Sequence, residues 1–406
     1  MKNVLIFSNC AASDSESNGR IHMTQFQKYL DGNHLHNFYV RGNPDLENIK
    51  YLNISYKDAL LSKLTFGIKK PALNSNVIKS GVNASESISN KSANPFYHWA
   101  RNKCFSNNRS IYKTLCDYVL KNKIEALVIW GSNVPFLYEL IRKISNKTGI
   151  KYITITCEDY PLKKYCYFKK HNVFFNFFQR QLRKQCIKCY QGSSKNIYCN
   201  NELKNLYEKE TETTNGEVIY LGSSLKRFGE EKTKKVKNVL YGGNLYDDRL
   251  KSIIDVAEVL NKRNIALNIY GKTSEENIKL LKEHTNINYF GVVPFSELVK
   301  HFSENDALLH VEGFSKEYIN DCRFAFSTKI SDYLVTGKKI IAYGPKEISG
   351  INFLLKEWKQ VVATNKNDLD LVINYIESDD YAFSDVYKEF KTELVSEKVF
   401  KIMESL

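Results

Sequence analysis

Two kinds of pattern alternate along the chain. Short runs of consecutive apolar residues are separated by longer stretches in which apolar residues recur every three or four positions. The runs read as strands buried on both faces and the periodic stretches as amphipathic helices. In the first half the pattern predicts strands at 4–7, 38–40, 51–54, 126–130, 151–156, 196–199 and 218–220. Helices are predicted at about 20–30, 109–121, 134–146 and 201–209. A second series follows, with strands at 238–241, 266–270, 287–290, 307–311, 339–343 and 360–363 and helices at about 249–262, 274–283, 296–303 and 328–335. A last amphipathic helix covers 385–406.

Strands alternating with helices at this spacing imply parallel sheets. The expected fold is α/β, with two Rossmann-like domains facing each other across a cleft. The N-terminal domain covers 1–222, a charged linker 223–237 and the C-terminal domain 238–380; the remainder, 381–406, can pack back on the N-terminal domain. Residues 59–106 show little periodicity, and 74–94, rich in Asn and Ser, read as a surface loop.

Composition fits this division. A chain of 406 residues is too long for one core, and 43% hydrophobic content is that of a globular protein. No run reaches the ~18 apolar residues that a bilayer-spanning helix needs, so the expected location is the cytoplasm. Nine scattered cysteines suggest no disulfide framework, and the lone Cys186-x-x-Cys189 reads as two ordinary thiols. No metal site is expected.

The formal net charge of +14 calls for an anionic partner. The excess is concentrated in 160–190, which has no acidic residue. There Lys163, Lys164, Lys169, Lys170, Arg180, Arg183, Lys184 and Lys188 are interleaved with Phe174, Phe175, Phe177 and Phe178. Such a stretch suits either an anionic membrane surface or a packed helix with a solvated basic face.

The candidate chemistry gathers at predicted strand ends. Between the strands at 307–311 and 339–343 a helix opens at Ser327-Thr328-Lys329, and a helix start exposes unpaired N–H groups that suit a phosphate. Glu312 follows the first of these strands, and Asp332 lies one turn into the helix. Gly243 and Asn244 end the strand at 238–241, with Arg249 and Lys251 opening the next helix; Gly271 and Lys272 end the following strand and Val293 the one after. Each is also compatible with plain turn chemistry. Several in one domain point to a ligand at the carboxyl edge of a sheet.

These motifs resemble those of retaining GT-B glycosyltransferases, similar to glycosyltransferase family 4 of bacterial capsule and lipopolysaccharide clusters. The resemblance is carried by GGNL ending at Leu245 with Lys251, by IYGK ending at Lys272, by DALLHVE ending at Glu312, and best by FSTKISDYL at 326–334. It covers 238–356 well and the first domain only in layout. It implies a nucleotide-diphosphate sugar as donor, with no other cofactor. Gly243 and Asn244 would lie near the diphosphate, Lys251 and Lys329 would neutralise it, and Ser327 and Thr328 would supply N–H donors. Glu312 would face the sugar, Asp332 the ribose and Val293 the base.

Nineteen residues separate Glu312 from Asp332, where the family's E-x7-E element has seven. Asn244 stands where many members have Arg, with Arg249 as a possible substitute. The resemblance further implies a metal-free reaction in which the leaving phosphate helps to deprotonate the acceptor. That acceptor, a saccharide or lipid-linked saccharide, would bind the first domain near Gly19, Arg20, Glu158 and Asp159. His22 is either a helix-surface residue or an acceptor contact. A lipid-linked acceptor would place the protein on the inner face of the cell membrane through 160–190. Two alternatives are a nucleotide-sugar 2-epimerase of the same fold and a basic nucleic-acid-binding protein, for which no motif is present.

Overall fold

The computed structural model describes residues 1–13, 22–30, 32–74, 95–163, 173–228, 235–245 and 247–406. They form two compact units, one of Met1–Leu221 with Thr392–Leu406 and one of Gly222–Lys391. The chain therefore crosses between units twice. Ser223–Phe228 and Lys235–Lys237, expected as linker, belong to the second unit. Gly19, Arg20, Lys164, Lys169 and Lys170 lie outside the described residues.

In the first unit the elements are β1 (Val4–Cys10), α1 (Gln27–Leu30), β2 (Leu35–Arg41), β3 (Ile49–Leu52), α2 (Tyr56–Leu64), α3 (Pro95–Phe105), α4 (Arg109–Lys121) and β4 (Ala126–Trp130). They continue with α5 (Pro135–Thr148), β5 (Tyr152–Thr156), α6 (Val173–Gln191), β6 (Lys195–Tyr198), α7 (Asn201–Thr211) and β7 (Gly216–Val218). The seven strands are parallel, in the order β3-β2-β1-β4-β5-β6-β7. β4 and β5 are buried throughout, which is why they read as unbroken apolar runs.

The second unit comprises β8 (Asn238–Gly242), α8 (Asp247–Asn261), β9 (Ala266–Tyr270), α9 (Glu275–Lys282), β10 (Ile287–Gly291), α10 (Phe295–Glu304) and β11 (Ala307–Val311). Then come α11 (Lys316–Cys322), α12 (Thr328–Thr336), β12 (Lys339–Tyr343), α13 (Ser349–Glu357), β13 (Val362–Ala363) and α14 (Leu369–Glu377). Its six parallel strands run β10-β9-β8-β11-β12-β13. In both sheets the strand order thus reverses once, between β1 and β4 in the first and between β8 and β11 in the second.

Three expectations change. β7 ends at Val218, where 218–220 is expected. The region of weak periodicity contains α2 and α3, two helices with many half-exposed positions. The basic-aromatic stretch is a packed helix in its described part: Phe175 and Phe178 are buried, and Phe177 is exposed.

The chain closes with α15 (Thr392–Glu404), which returns to the first unit. Val395, Val399 and Met403, spaced four apart on one helical face, are buried in the core that also holds Val4, Ile6 and Met23. The Tyr29 hydroxyl donates to Glu404 at 3.0 Å, and so does the Lys2 amide at 3.1 Å. Full burial of such side chains stabilises by about 1.5–3 kcal/mol each. Met403→Ala is therefore expected to lower stability by about 2–5 kcal/mol, read as a shifted urea midpoint with near-native circular dichroism before the transition.

Candidate functional site

Open α/β sheets bind ligands outside the carboxyl ends of their strands, where the strand order reverses. In the second unit that position lies between the ends of β8 and β11. Its floor is made by neighbouring strand ends: the Gly243 amide donates to Tyr270 O (2.8 Å), Gly271 to Gly291 O (2.7 Å) and Leu245 to Lys272 O (3.0 Å). A Cβ on Gly271 would stand 1.9 Å from Gly243 O, and one on Gly243 would stand 2.6 Å from Lys329 Nζ. Only glycine lets these two turns and the lysine lie so close together.

Glu312 follows β11 directly. Its backbone is fixed by an amide bond to Tyr343 O (2.9 Å) and by the Ser252 hydroxyl on its carbonyl (2.8 Å). Its buried carboxylate receives Arg249 Nε (3.1 Å) and Nη2 (2.9 Å) on one oxygen. Tyr318 donates its hydroxyl to the same oxygen, and His310 Nε2 lies 3.4 Å from the other. Lys329, in the first turn of α12, places Nζ 3.4 Å from the Tyr241 hydroxyl and 4.6 Å from the centre of its ring.

Tyr318 also explains the long interval between Glu312 and Asp332. The insertion is the short helix α11, capped by Ser315, whose Oγ accepts from the Tyr318 amide (3.1 Å) and donates to Asp248 (2.9 Å). That last bond ties α11 to the start of α8 and delivers Tyr318 to the carboxylate.

The electrostatics follow from burial and pairing. Burial pushes the Glu312 carboxyl up, but Arg249, His310, Lys329 and the Tyr318 hydroxyl outweigh it and hold it below its ordinary value. Burial lowers Arg249, and Glu312 more than restores it, so its pKa is raised and it stays charged. Burial first, and Arg249 after it, lower Lys329 to about 7 against the opposing pull of Glu312. Burial takes His310 to about 3 despite Glu312, with Lys329 and Arg249 also lowering it. The imidazole is neutral, and neither ring nitrogen has a hydrogen-bond partner.

The structure thus gathers Glu312, Lys329 and Arg249 beside Gly243 and Gly271. Lys251 and Lys272 are exposed, and the side chain of α8 that reaches Glu312 is Arg249. Asn244 is exposed, and its carbonyl accepts from Tyr241 (3.0 Å); Val293 is half-buried beyond β10. Ser327 is the N-cap of α12 but makes no side-chain capping bond, and Thr328 is half-buried. Asp332 is buried and accepts from the Ser223 hydroxyl (2.6 Å). Tyr241, His310 and Tyr318 are absent from the sequence-predicted set. A Ser before Lys316-Glu317 signals the N-cap of α11, but nothing local signals where Tyr318 would point.

In the first unit the corresponding position lies between β1 and β4. Asn9 Nδ2 donates to Asn133 Oδ1 (3.3 Å), and the His22 ring stacks on Trp130 at 4.6 Å. Asn9 Oδ1, His22 Nδ1, both amide atoms of Gln25 and Trp130 Nε1 are buried without hydrogen-bond partners. Burial lowers His22 to about 4, so it too is neutral. These polar groups need partners that the described chain does not supply.

Beyond β5, burial and then Asp159 raise the Glu158 carboxyl to about 7, with Lys163 opposing. Asp159 itself is buried and lies 3.7 Å from Lys163. Cys157, next to Glu158, is disulfide-bonded to Cys199 beyond β6, where the sequence suggests only scattered thiols. The two residues are 42 apart in sequence and meet because β5 and β6 are neighbours. Cys186 and Cys189 are buried, burial raising both thiols, and no cluster of metal-ligating side chains occurs among the described residues.

No family model matches the chain, and no curated protein matches it in sequence. Its fold is that of the GT-B glycosyltransferases, two parallel-sheet α/β domains. HepE of Anabaena, in complex with UDP and glucose, is similar over the whole of both chains, with 11% identity and a TM-score of 0.59. The lipopolysaccharide outer core galactosyltransferase WaaB, in apo form, matches 99% of this chain and 100% of its own, with 14% identity and a TM-score of 0.60. A UDP-forming α,α-trehalose-phosphate synthase of Burkholderia xenovorans, in complex with glucose-6-phosphate, covers 99% and 100% at 9% identity and a TM-score of 0.55.

Arg249→Leu removes the guanidinium from buried Glu312 and leaves it the Tyr318 hydroxyl and the nearby Lys329, a change expected to cost up to about 3–5 kcal/mol. Because the native carboxyl is depressed, its contribution is present above the unfolded glutamate value and lost as pH falls through the native one. In the variant the carboxyl rises and protonates. The stability gap to the parent chain, measured by urea unfolding, is expected to be widest at neutral pH and to narrow toward about pH 4.3.

Proposed function

We propose that the protein is a glycosyltransferase moving a sugar from a nucleotide-diphosphate sugar to a saccharide or lipid-linked saccharide of a cell-surface polysaccharide. One observation carries the reading: Arg249 and Lys329, both cationic when protonated, flank a single carboxylate at the strand-order reversal of the second unit, over turns where a side chain would collide. Two cations against one anion leave a net demand for negative charge, which a diphosphate meets. The start of α12, where Ser327 makes no side-chain capping bond, adds oriented N–H groups.

Cleaving the bond from anomeric carbon to phosphate builds negative charge on the diphosphate. Preorganised cations stabilise that charge without reorganising during the reaction. Arg249, held by Glu312 and Tyr318, and Lys329 fill this role, and the reaction needs no divalent metal. Glu312 is already hydrogen-bonded and is a poor base, so the leaving phosphate takes the acceptor proton and the anomeric configuration is retained. Glu158, with its raised carboxyl, is the base an inverting reaction would use. The acceptor's hydroxyls bind the first unit, where Asn9, His22, Gln25 and Trp130 offer unsatisfied polar atoms.

The reading is tested by a turnover screen against UDP-, GDP-, ADP- and CMP-sugars with saccharide acceptors, in EDTA. One donor should be turned over with the anomeric configuration kept in the NMR spectrum, and Lys329→Ala should reduce turnover by about 10²–10³. No donor turned over, or full activity in the variant, would overturn it. Rearrangement of UDP-GlcNAc without acceptor would indicate epimerisation, and inversion abolished in Glu158→Gln would replace the retaining route.

Donor affinity should depend on pH in a defined direction. A bound diphosphate favours the ammonium form of Lys329, so above about 7 the free protein must take up a proton in order to bind. Affinity is expected to be flat below that value and to fall up to about tenfold per pH unit above it. Calorimetric titration with the donor checks this, and Lys329→Arg should flatten the profile.

A further inference from the structure

A different face of the first unit is built against the rules for a water-exposed surface. At the end of α2 the Phe66 amide donates to Lys63 O (3.2 Å) and the Gly67 amide to Ser62 O (2.8 Å). This is the bond pair of a glycine-type helix stop, with Phe66 in the left-handed position at φ 49°. Glycine, or sometimes asparagine, is the usual residue there, and a bulky side chain in that conformation is strained. Here the residue is phenylalanine and is 96% exposed; Ile68 is 87% exposed and Leu64 is exposed as well. Neither the backbone nor the core of the unit gains from a phenylalanine at this point.

The patch continues onto α3 and α6. Lys63 Nζ, just before Leu64, donates to the carbonyls of Lys103 and Ser106 (2.7 Å for the latter), which places the end of α2 against the end of α3. Lys103 Nζ lies 5.9 Å from the Trp99 ring and 5.7 Å from that of Phe177 on α6. Phe96, 5.6 Å from Trp99, is exposed, and so are Phe177 and, one turn before it, Val173 (83%). Basic residues border these groups: Lys69, Lys70 and Lys103 are exposed, as are Arg180, Lys184 and Lys188 along α6. Residues 59–74, 95–106 and 160–190 contain no acidic side chain.

We infer that the first unit seats this face on an anionic phospholipid bilayer, with Leu64, Phe66 and Ile68 entering the headgroup boundary and the lysines and arginines meeting the phosphates. Apolar side chains ringed by one sign of charge are the chemistry of an interfacial membrane site. The aromatic side chains could serve either partner, but exposed Leu64, Ile68 and Val173 offer no stacking surface to a base and fit an acyl boundary, which favours lipid over a nucleic-acid strand. The inference does not depend on the transfer reaction and stands or falls separately from it.

The test uses the full chain and sedimentation with vesicles of phosphatidylcholine, alone or with about 30% phosphatidylglycerol, a content that sets the negative surface potential. The protein should sediment with the anionic vesicles, much less with the neutral ones, and less in high salt. Phe66→Gly combined with Ile68→Ser should weaken binding by at least about tenfold, while thermal stability holds or rises because glycine suits the left-handed position. Lys103→Glu with Lys184→Glu should weaken it by about fivefold or more per charge removed.

Parent-like vesicle binding by the Phe66→Gly, Ile68→Ser variant would overturn the inference, as would a loss of stability in step with its loss of binding. No binding to anionic vesicles, or a preference for single-stranded RNA over them, would overturn it equally.

Discussion

A buried carboxylate is tolerated only when it is paired, and the second unit is arranged to pair Glu312. Strand β11 delivers it to the sheet edge, Ser252 and the Tyr343 carbonyl fix its backbone, and Arg249 and Tyr318 converge on one of its oxygens. Each partner comes from a different segment, so the pairing aligns the starts of α8 and α11 with the end of β11. The pair also governs the neighbours: Arg249 stays charged because of Glu312, and Lys329 is depressed partly because Arg249 does. A neutral residue at 312 would leave two cations facing each other at a buried edge, a state favourable only with an anion present.

The two sheets share one topology but differ in the polar residues at their edges. Both sheets reverse their strand order at one place, and both bring polar residues there. In the first unit they are uncharged and unsatisfied; in the second they are ionic, with Arg249 and Lys329 near one carboxylate.

The sheets were legible in the sequence because strands buried on both faces must be apolar without interruption, as at Ala126–Trp130 and Ala307–Val311. The close approach of Gly243, Gly271 and Lys329 was legible only in part, since each strand-end glycine taken alone also fits a plain turn. That Arg249 and not Lys251 is the side chain of α8 that reaches Glu312 was not legible, because linear spacing does not reveal helical phase. Arg249 and Ser252, three apart, share the face turned to Glu312, and Lys251 lies off it. Tyr318 and the Cys157–Cys199 bond depend on which segments become neighbours, information that no short window holds. α2 and α3 escaped notice because their apolar residues are partly on the surface, so the alternation that marks a helix is blurred.

The position of α15 bears on how the chain is made. The second unit is one continuous stretch, Gly222–Lys391, whereas the first needs the chain's final residues to cover Val4 and Ile6. Domains generally fold in the order in which they leave the ribosome, but here the first to emerge is the last to be completed. During synthesis its sheet waits with part of its apolar face uncovered while the whole second unit is added, until α15 arrives to cover it.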